Sequence, residues 1–340
     1  MIKTVARWIT SHQVAAFFII TFLITWGLGF SYRAVTEGKY LALPLMFLAT
    51  CGPALAGILI ASLAGIERPP AGKRMAWLAF FLSWVVVVLA FIANHWIVNR
   101  GSVTTPLVIL VAISALPVAL IVNLVYTHFP VVRRFQLSPL RPGGSPQWIL
   151  IAFLIFPVLT VISMLICRLR DPQFPLFINL PATGFGLAGW IAAKFLSQFF
   201  YFNGTGEEAG WRGFALPRLQ SRVSPLVAGL ILALVWVPWH LFLWTAEGRP
   251  VMTFSFWVSS YLLHIPSCII LCWCYNRSRG SIVAAGVAHA SANTFTALFQ
   301  PLDQKIMEIT LFVFVAAIVL ADRMWKRLPG EHPAVQKIIT

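Results

Sequence analysis

Ten stretches of about 20 mostly apolar residues recur along this 340-residue chain, and that repetition leaves few folds open. They fall at approximately 14–32, 41–66, 75–98, 104–126, 148–167, 184–203, 225–244, 254–275, 281–299 and 306–321. Each is long enough to cross a bilayer as a helix. Only 10% of the residues are charged, against roughly a quarter in a soluble domain. The expected fold is therefore an all-α polytopic membrane protein, a bundle of about 8–10 transmembrane helices. Pro106 and Pro117 interrupt the run at 104–126, and Lys194 sits inside the run at 184–203. Membrane helices tolerate prolines where neighbours satisfy the freed carbonyls, and a lysine can bend its stem toward water.

Orientation follows from the basic residues, which are retained on the cytoplasmic side. With a cytoplasmic N-terminus, the outside connections hold seven of the 25 bases: Arg33, Lys39, Arg100, Arg168, Arg170, Arg249 and Lys305. Seventeen fall on the inside, and Lys194 lies within the membrane. Both termini are thus expected in the cytoplasm, with Glu207 and Glu208 near the cytoplasmic end of the sixth span. The expected location is a bacterial inner membrane. The formal charge of +15 is spread over short loops, so it reads as a topology signal and as contact with anionic lipids, with no nucleic-acid partner. Lys3 and Arg7 precede the first run, which is too long for a signal peptide and is expected to remain as a helix.

Cys51, Cys167, Cys268, Cys272 and Cys274 all lie in or beside apolar runs and form no C-x-x-C pair, so they read as packing residues. There is no internal repeat. The long polar connections at 127–147 and 168–183 cannot fold alone. The expected organisation is a supporting N-terminal group of helices at 1–183, a chemically distinct core at 184–321, and a cytoplasmic tail at 322–340.

The division rests on where polar residues lie. A charged side chain at mid-bilayer costs roughly 2.5–3.5 kcal/mol on insertion scales, so each one needs a reason. Few occur before residue 183, whereas the second half carries Glu207, Glu208, Arg212, His240, His264, His289 and Asn293. Glu208 and Arg212 are four residues apart and can pair across one helical turn, while Glu207 then points about 100° away. His240 follows Pro238, which removes a backbone donor and is expected to kink the helix near Trp236 and open room for water. His289 and Asn293 share one helix face beside a row of small residues, Ala284, Ala288 and Ala292, that permits close helix packing. Each site has a plain structural reading as an ion pair or a buried hydrogen bond. Together they make a carboxylate, two imidazoles and an amide, which are the parts amide hydrolysis requires. A carboxylate removed from water can act as general base, histidine can bind a metal or a developing oxyanion, and an asparagine amide can donate to the oxyanion.

The ordered pieces Glu207-Glu208-Ala209-Gly210-Trp211-Arg212, Trp236-Val237-Pro238-Trp239-His240 and His289-Ala290-Ser291-Ala292-Asn293 resemble the motifs of the CAAX-protease and bacteriocin-processing (CPBP, or Abi) family of intramembrane endopeptidases. The resemblance covers about 200–295. It implies that Glu207 and His240 activate the attacking water, that His289 and Asn293 stabilise the oxyanion, and that Glu208 and Arg212 orient the first acid. Where the family has phenylalanine four residues before the second-motif histidine, this chain has Trp236. The resemblance also leaves two cofactor readings open: a zinc held by Glu207, His240 and His289, or a metal-free glutamate mechanism. His264 and Lys194 match no motif; His264 reads as a structural histidine, and Lys194 lies too far from Glu207 along an ideal helix to pair with it. The implied partner is a peptide or protein substrate in or at the membrane, cleaved near the cytoplasmic face. The alternative readings of the same polar residues are a proton- or ion-coupled transporter and a non-catalytic family member giving bacteriocin immunity.

Overall fold

A computed structural model describes residues 2–35, 39–64, 73–128, 146–175, 186–299 and 303–335. Most of the polar connections at 127–147 and 168–183 lie outside them, as do Arg68, Arg133, Arg134, Arg141 and Lys337. The described chain is helical along almost all its length. In order it forms α1 (Ile2–Ser11), α2 (Gln13–Val35), α3 (Lys39–Thr50), α4 (Gly52–Leu63), α5 (Lys73–Ala93), α6 (Thr105–His128), α7 (Gln147–Arg170), α8 (Gly186–Ser197), α9 (Pro225–Trp239), α10 (Leu241–Ala246), α11 (Phe254–Arg277), α12 (Ile282–Leu298) and α13 (Gln304–Ala321).

Each apolar run of the sequence corresponds to helix. Among the described residues, six stretches are long and apolar enough to cross a membrane: Gln13–Ser31, Phe80–Val98, Gln147–Arg170, Pro225–Ala246, Phe254–Arg277 and Gln304–Ala321. Gly52–Leu63, Thr105–Ile121 and Ile282–Leu298 are shorter apolar helices. The run at 41–66 is two helices because Gly52-Pro53 restarts it: proline lacks the donor a helix interior needs but suits a first turn. In the second half the starts are set by side-chain caps. Ser224, Thr253, Ser281 and Asp303 accept from the backbone N–H groups of Val227, Phe256, Ala284 and Ile306.

The largest departure from the sequence reading concerns the acidic segment. The sixth span does not end near 203. Its helix runs on to Gln220 through wide, π-type turns at Gln198–Glu207 and Trp211–Ala215. The polar string Asn203-Gly204-Thr205-Gly206 looks like a loop in sequence, but its glycines permit packing that no other residue allows. A Cβ on Gly206 would lie 3.0 Å from the Thr50 carbonyl, and one on Gly210 would overlap the backbone of Pro53. The segment is therefore laid tightly across the α3–α4 break.

One hydrophobic core runs through both halves of the chain, from Phe17, Phe47 and Ile60 to Trp211, Leu232, Trp239 and Leu311. The first helices also reach the second half by hydrogen bonds: Trp239 Nε1 donates to Thr25 Oγ1 at 2.9 Å, and Thr25 donates to the Ala49 carbonyl at 2.8 Å. All five cysteines are free and buried.

The bundle has two distinguishable ends. At one, Gln220 donates to the Ala334 carbonyl and pairs with Asn276, while the Leu226 N–H bonds the Met324 carbonyl. That gathers the basic connections after α8, α11 and α13. At the other end lies the 247–253 connection between α10 and α11. Glu207 lies 13 residues before Gln220, so the acids are deep in the bundle rather than at the basic end as expected.

Candidate active site

Glu207, Glu208 and Arg212 are all buried, with 3%, 0% and 0% of their surface exposed. Arg212 Nη1 donates to Glu208 Oε1 at 2.8 Å, the i to i+4 pair read from the sequence. The same oxygen meets His289 Nδ1 at 2.8 Å, so Glu208 joins the acidic segment to α12. Arg212 Nη2 reaches Cys268 Sγ on α11 at 3.2 Å. Two buried atoms of the pair, Glu208 Oε2 and Arg212 Nε, have no hydrogen-bond partner among the described residues.

Glu207 points elsewhere. Its Oε2 accepts a hydrogen bond from Trp236 Nε1 at 2.9 Å. Trp236 is the hub of the site: its ring lies 5.0 Å from the His240 ring and 5.3 Å from the His289 ring, and the Arg212 guanidinium sits 5.1 Å from its centroid. Phenylalanine, usual at this position in the family the motifs resemble, has no N–H to offer a carboxylate.

His240 is placed by the helix break. The expected kink near Trp236 is instead an interruption at His240, which caps α9 and starts α10. Pro238 has no N–H for the Leu234 carbonyl four residues back, and Tyr261 Oη donates to that carbonyl at 3.4 Å. His240 Nδ1 faces the Trp236 carbonyl at 2.9 Å. A carbonyl only accepts, so Nδ1 carries the hydrogen and Nε2 keeps its lone pair. His264 Nδ1 meets the Ser260 carbonyl at 2.7 Å and is fixed the same way.

Close packing brings α12 into place. Ala284 and Ala288 are fully buried, a Cβ on Gly286 would lie 3.1 Å from the Gly204 backbone, and Ser291 Oγ donates to the Phe153 carbonyl at 2.5 Å. Asn293 Nδ2 donates to Gln198 Oε1 at 3.2 Å.

Glu207, His240, His289 and Asn293 line one cavity of about 590 Å³. Glu208 and Arg212 stand behind it, touching the lining residues His289 and Trp236. The cavity also takes in His264, Lys194 and Gln198, which sequence reasoning left aside. Lys194 and His264 did carry a signal, since each is an ionisable group in an apolar run. The His264 ring lies 5.3 Å from that of His240 and 5.5 Å from that of Trp236. Glu247 and Arg249 line the cavity where it reaches the 247–253 connection, at the end of the bundle opposite the basic connections. Among the described residues no three His, Cys, Asp or Glu side chains are grouped so that they could hold a metal ion.

Residues 189–295 match the family model described as type II CAAX prenyl endopeptidase Rce1-like. A curated relative, CAAX prenyl protease 2 of Methanococcus maripaludis, is 29% identical over 182 residues, which is 51% of this chain and 65% of the relative. The chain thus matches just under two thirds of that relative's length. The family match spans all three motifs.

Proposed function

Because both matches support the CAAX prenyl endopeptidase family, we propose that this chain is an intramembrane endopeptidase acting on a membrane-associated peptide or protein. One observation carries the reading: a carboxylate, two imidazoles and an amide, contributed by three separate stretches of sequence, face a single cavity inside the bundle. The relative's name points to prenylated CAAX tails. The apolar side chains of Phe156, Leu263, Leu271, Met307 and Leu311 along the cavity favour a substrate with an apolar chain beside the scissile bond. Glu247 and Arg249 line the cavity toward the 247–253 connection, so the substrate is expected to enter from that end of the bundle.

Glu207 and the lone pair of His240 Nε2 hold the attacking water. As its oxygen bonds to the carbonyl carbon, one proton passes to this pair and the carbonyl electrons move onto oxygen. Asn293 Nδ2 and the His289 ring then stabilise that oxyanion; Glu208 Oε1, 2.8 Å from His289 Nδ1, holds the ring in place. Collapse breaks the C–N bond and the held proton goes to the departing amine. This mechanism needs no metal: Glu207 serves as the base, and among the described residues no three donor side chains are grouped so that they could hold one.

The test is cleavage of a fluorogenic membrane-anchored peptide by purified protein in detergent, with and without a chelator. The initial rate is expected to stay within about twofold on chelation, set against the 10²–10⁴-fold that general-base catalysis contributes. A rate that collapses and returns with Zn²⁺ would replace the glutamate-base mechanism.

Trp236→Phe tests the hydrogen bond that holds Glu207. It removes the N–H that holds Glu207 and keeps an aromatic ring. A hydrogen bond to a charged group is worth about 1.5–3 kcal/mol, so kcat is expected to fall roughly 10- to 100-fold with KM little changed. Unaltered kcat would show that packing alone positions the acid.

A further inference from the structure

A second cavity, about 320 Å³, opens at the opposite, basic end of the bundle, where the start of α9 meets the ends of α11 and α13. Four cations line it, Arg277, Arg323, Lys326 and Arg327, against one carboxylate, Asp322. That carboxylate is already engaged: Trp273 Nε1 donates to Asp322 Oδ2 at 2.6 Å, and Arg277 Nε lies 3.4 Å from the same oxygen. The side chains of Arg323, Lys326 and Arg327 have no hydrogen-bond or ion-pair partner among the described residues. His332 also lines the cavity, but burial and nearby Arg279 push its imidazole below the ordinary range, so it adds no charge at neutral pH.

The backbone supplies an independent observation. α13 ends in a paired-hydrogen-bond turn in which Arg323 N–H bonds the Leu320 carbonyl and Met324 N–H bonds that of Val319. α11 ends the same way, through Arg279 to Asn276 and Gly280 to Tyr275. In both, the residue in the left-handed conformation, Arg323 at φ 50° and Arg279 at φ 62°, is an arginine. That position normally takes glycine, and a residue with a Cβ pays roughly 1–2 kcal/mol to stand there. Placed after the cap, Arg323 sends the chain back so that Lys326 and Arg327 face the same hollow.

We propose that this cavity binds a phosphate group, in the form of an anionic lipid headgroup at the membrane surface. Guanidinium and ammonium groups are matched to phosphate oxygens, and the pocket's position among the basic connections puts it in the leaflet whose anionic lipids attract such clusters. The site is separate from the cleavage cavity and does not rest on the peptidase reading.

The experiment is native mass spectrometry of the full chain released from mixed micelles containing phosphatidylglycerol or phosphatidylcholine, with inorganic phosphate as a third probe. The variant is the triple substitution Arg323→Gln, Lys326→Gln and Arg327→Gln, all at exposed side chains. Its control removes the same charge at the other end, through Arg100→Gln, Arg168→Gln and Arg170→Gln, and includes a left-handed arginine, Arg100 at φ 53°. Phosphatidylglycerol is expected to be retained over phosphatidylcholine by wild type and control, and to dissociate about tenfold more readily from the triple variant. If phosphatidylglycerol is not retained but inorganic phosphate raises the melting temperature of wild type and not of the triple variant, the anion site stands and its ligand is soluble phosphate. Equal retention of both lipids, or phosphatidylglycerol held as tightly by the triple variant as by wild type, would overturn the proposal.

Discussion

Glu207→Gln is expected to lower kcat for peptide cleavage by about 10³-fold, within the range that a positioned general base contributes. The substitution is nearly isosteric, and the glutamine oxygen can still accept from Trp236 Nε1, so the pocket is kept while the proton acceptor is lost. Melting temperature and substrate KM should therefore change little. Because KM is preserved, the loss would belong to the chemical step rather than to binding. The same variant separates the rival readings. An immunity protein that only binds a peptide keeps its protection with glutamine at this position. A transporter in which Glu207 relays protons shows no peptide cleavage in the wild type to begin with. Wild-type cleavage that persists in Glu207→Gln would remove the glutamate from the mechanism.

Arg212→Met should be the most damaging single change to stability. The guanidinium is fully buried, pairs with Glu208 at 2.8 Å, contacts Cys268 and lies over Trp236. Removing it leaves a carboxylate in the interior with only His289 beside it. Breaking one partner of a buried ion pair typically costs about 3–5 kcal/mol, because the remaining charge is uncompensated. In a detergent melt this corresponds to a drop of roughly 5–10 °C or more. The double variant Glu208→Gln with Arg212→Met should recover part of the loss, since the pair carries two unsatisfied buried atoms and a neutral replacement removes the stranded charge. Activity should not return with it, because His289 loses the carboxylate that holds its ring. A double variant melting as low as Arg212→Met alone would mean that Arg212 acts by packing and not by charge.

Much of this was legible in the sequence, and the parts that were not share a cause. The apolar runs marked the helices, the spacing of Glu208 and Arg212 marked their pair, and His289 with Asn293 marked one helix face. These are local relations, and helical periodicity sets them. Lys194 shows where that reasoning ends. On an ideal helix the 13 residues between it and Glu207 turn the two roughly 220° apart. The wide turns at Gln198–Glu207 advance fewer degrees per residue, and both side chains line the same cavity. Nothing in the residues themselves announces such a turn. Trp236 is a similar case: sequence marked an aromatic ring, but its N–H acquires meaning only because Glu207 lies 2.9 Å away on another segment.

By itself, the order of residues determined that this chain enters a membrane as a helical bundle and that its costly polar groups are concentrated after residue 200. Apolar length and the penalty for charge in hydrocarbon act residue by residue, so composition along the chain is enough to decide them. Only the tertiary structure decided that the acidic helix continues to Gln220, that His264 and Lys194 share the cavity, and that Arg323, Lys326 and Arg327 face a second hollow at the far end. Those outcomes depend on glycines meeting backbones such as that of Pro53, and on side chains distant in sequence closing around common space. Close packing between segments is a property of the assembled bundle, and no single segment contains it.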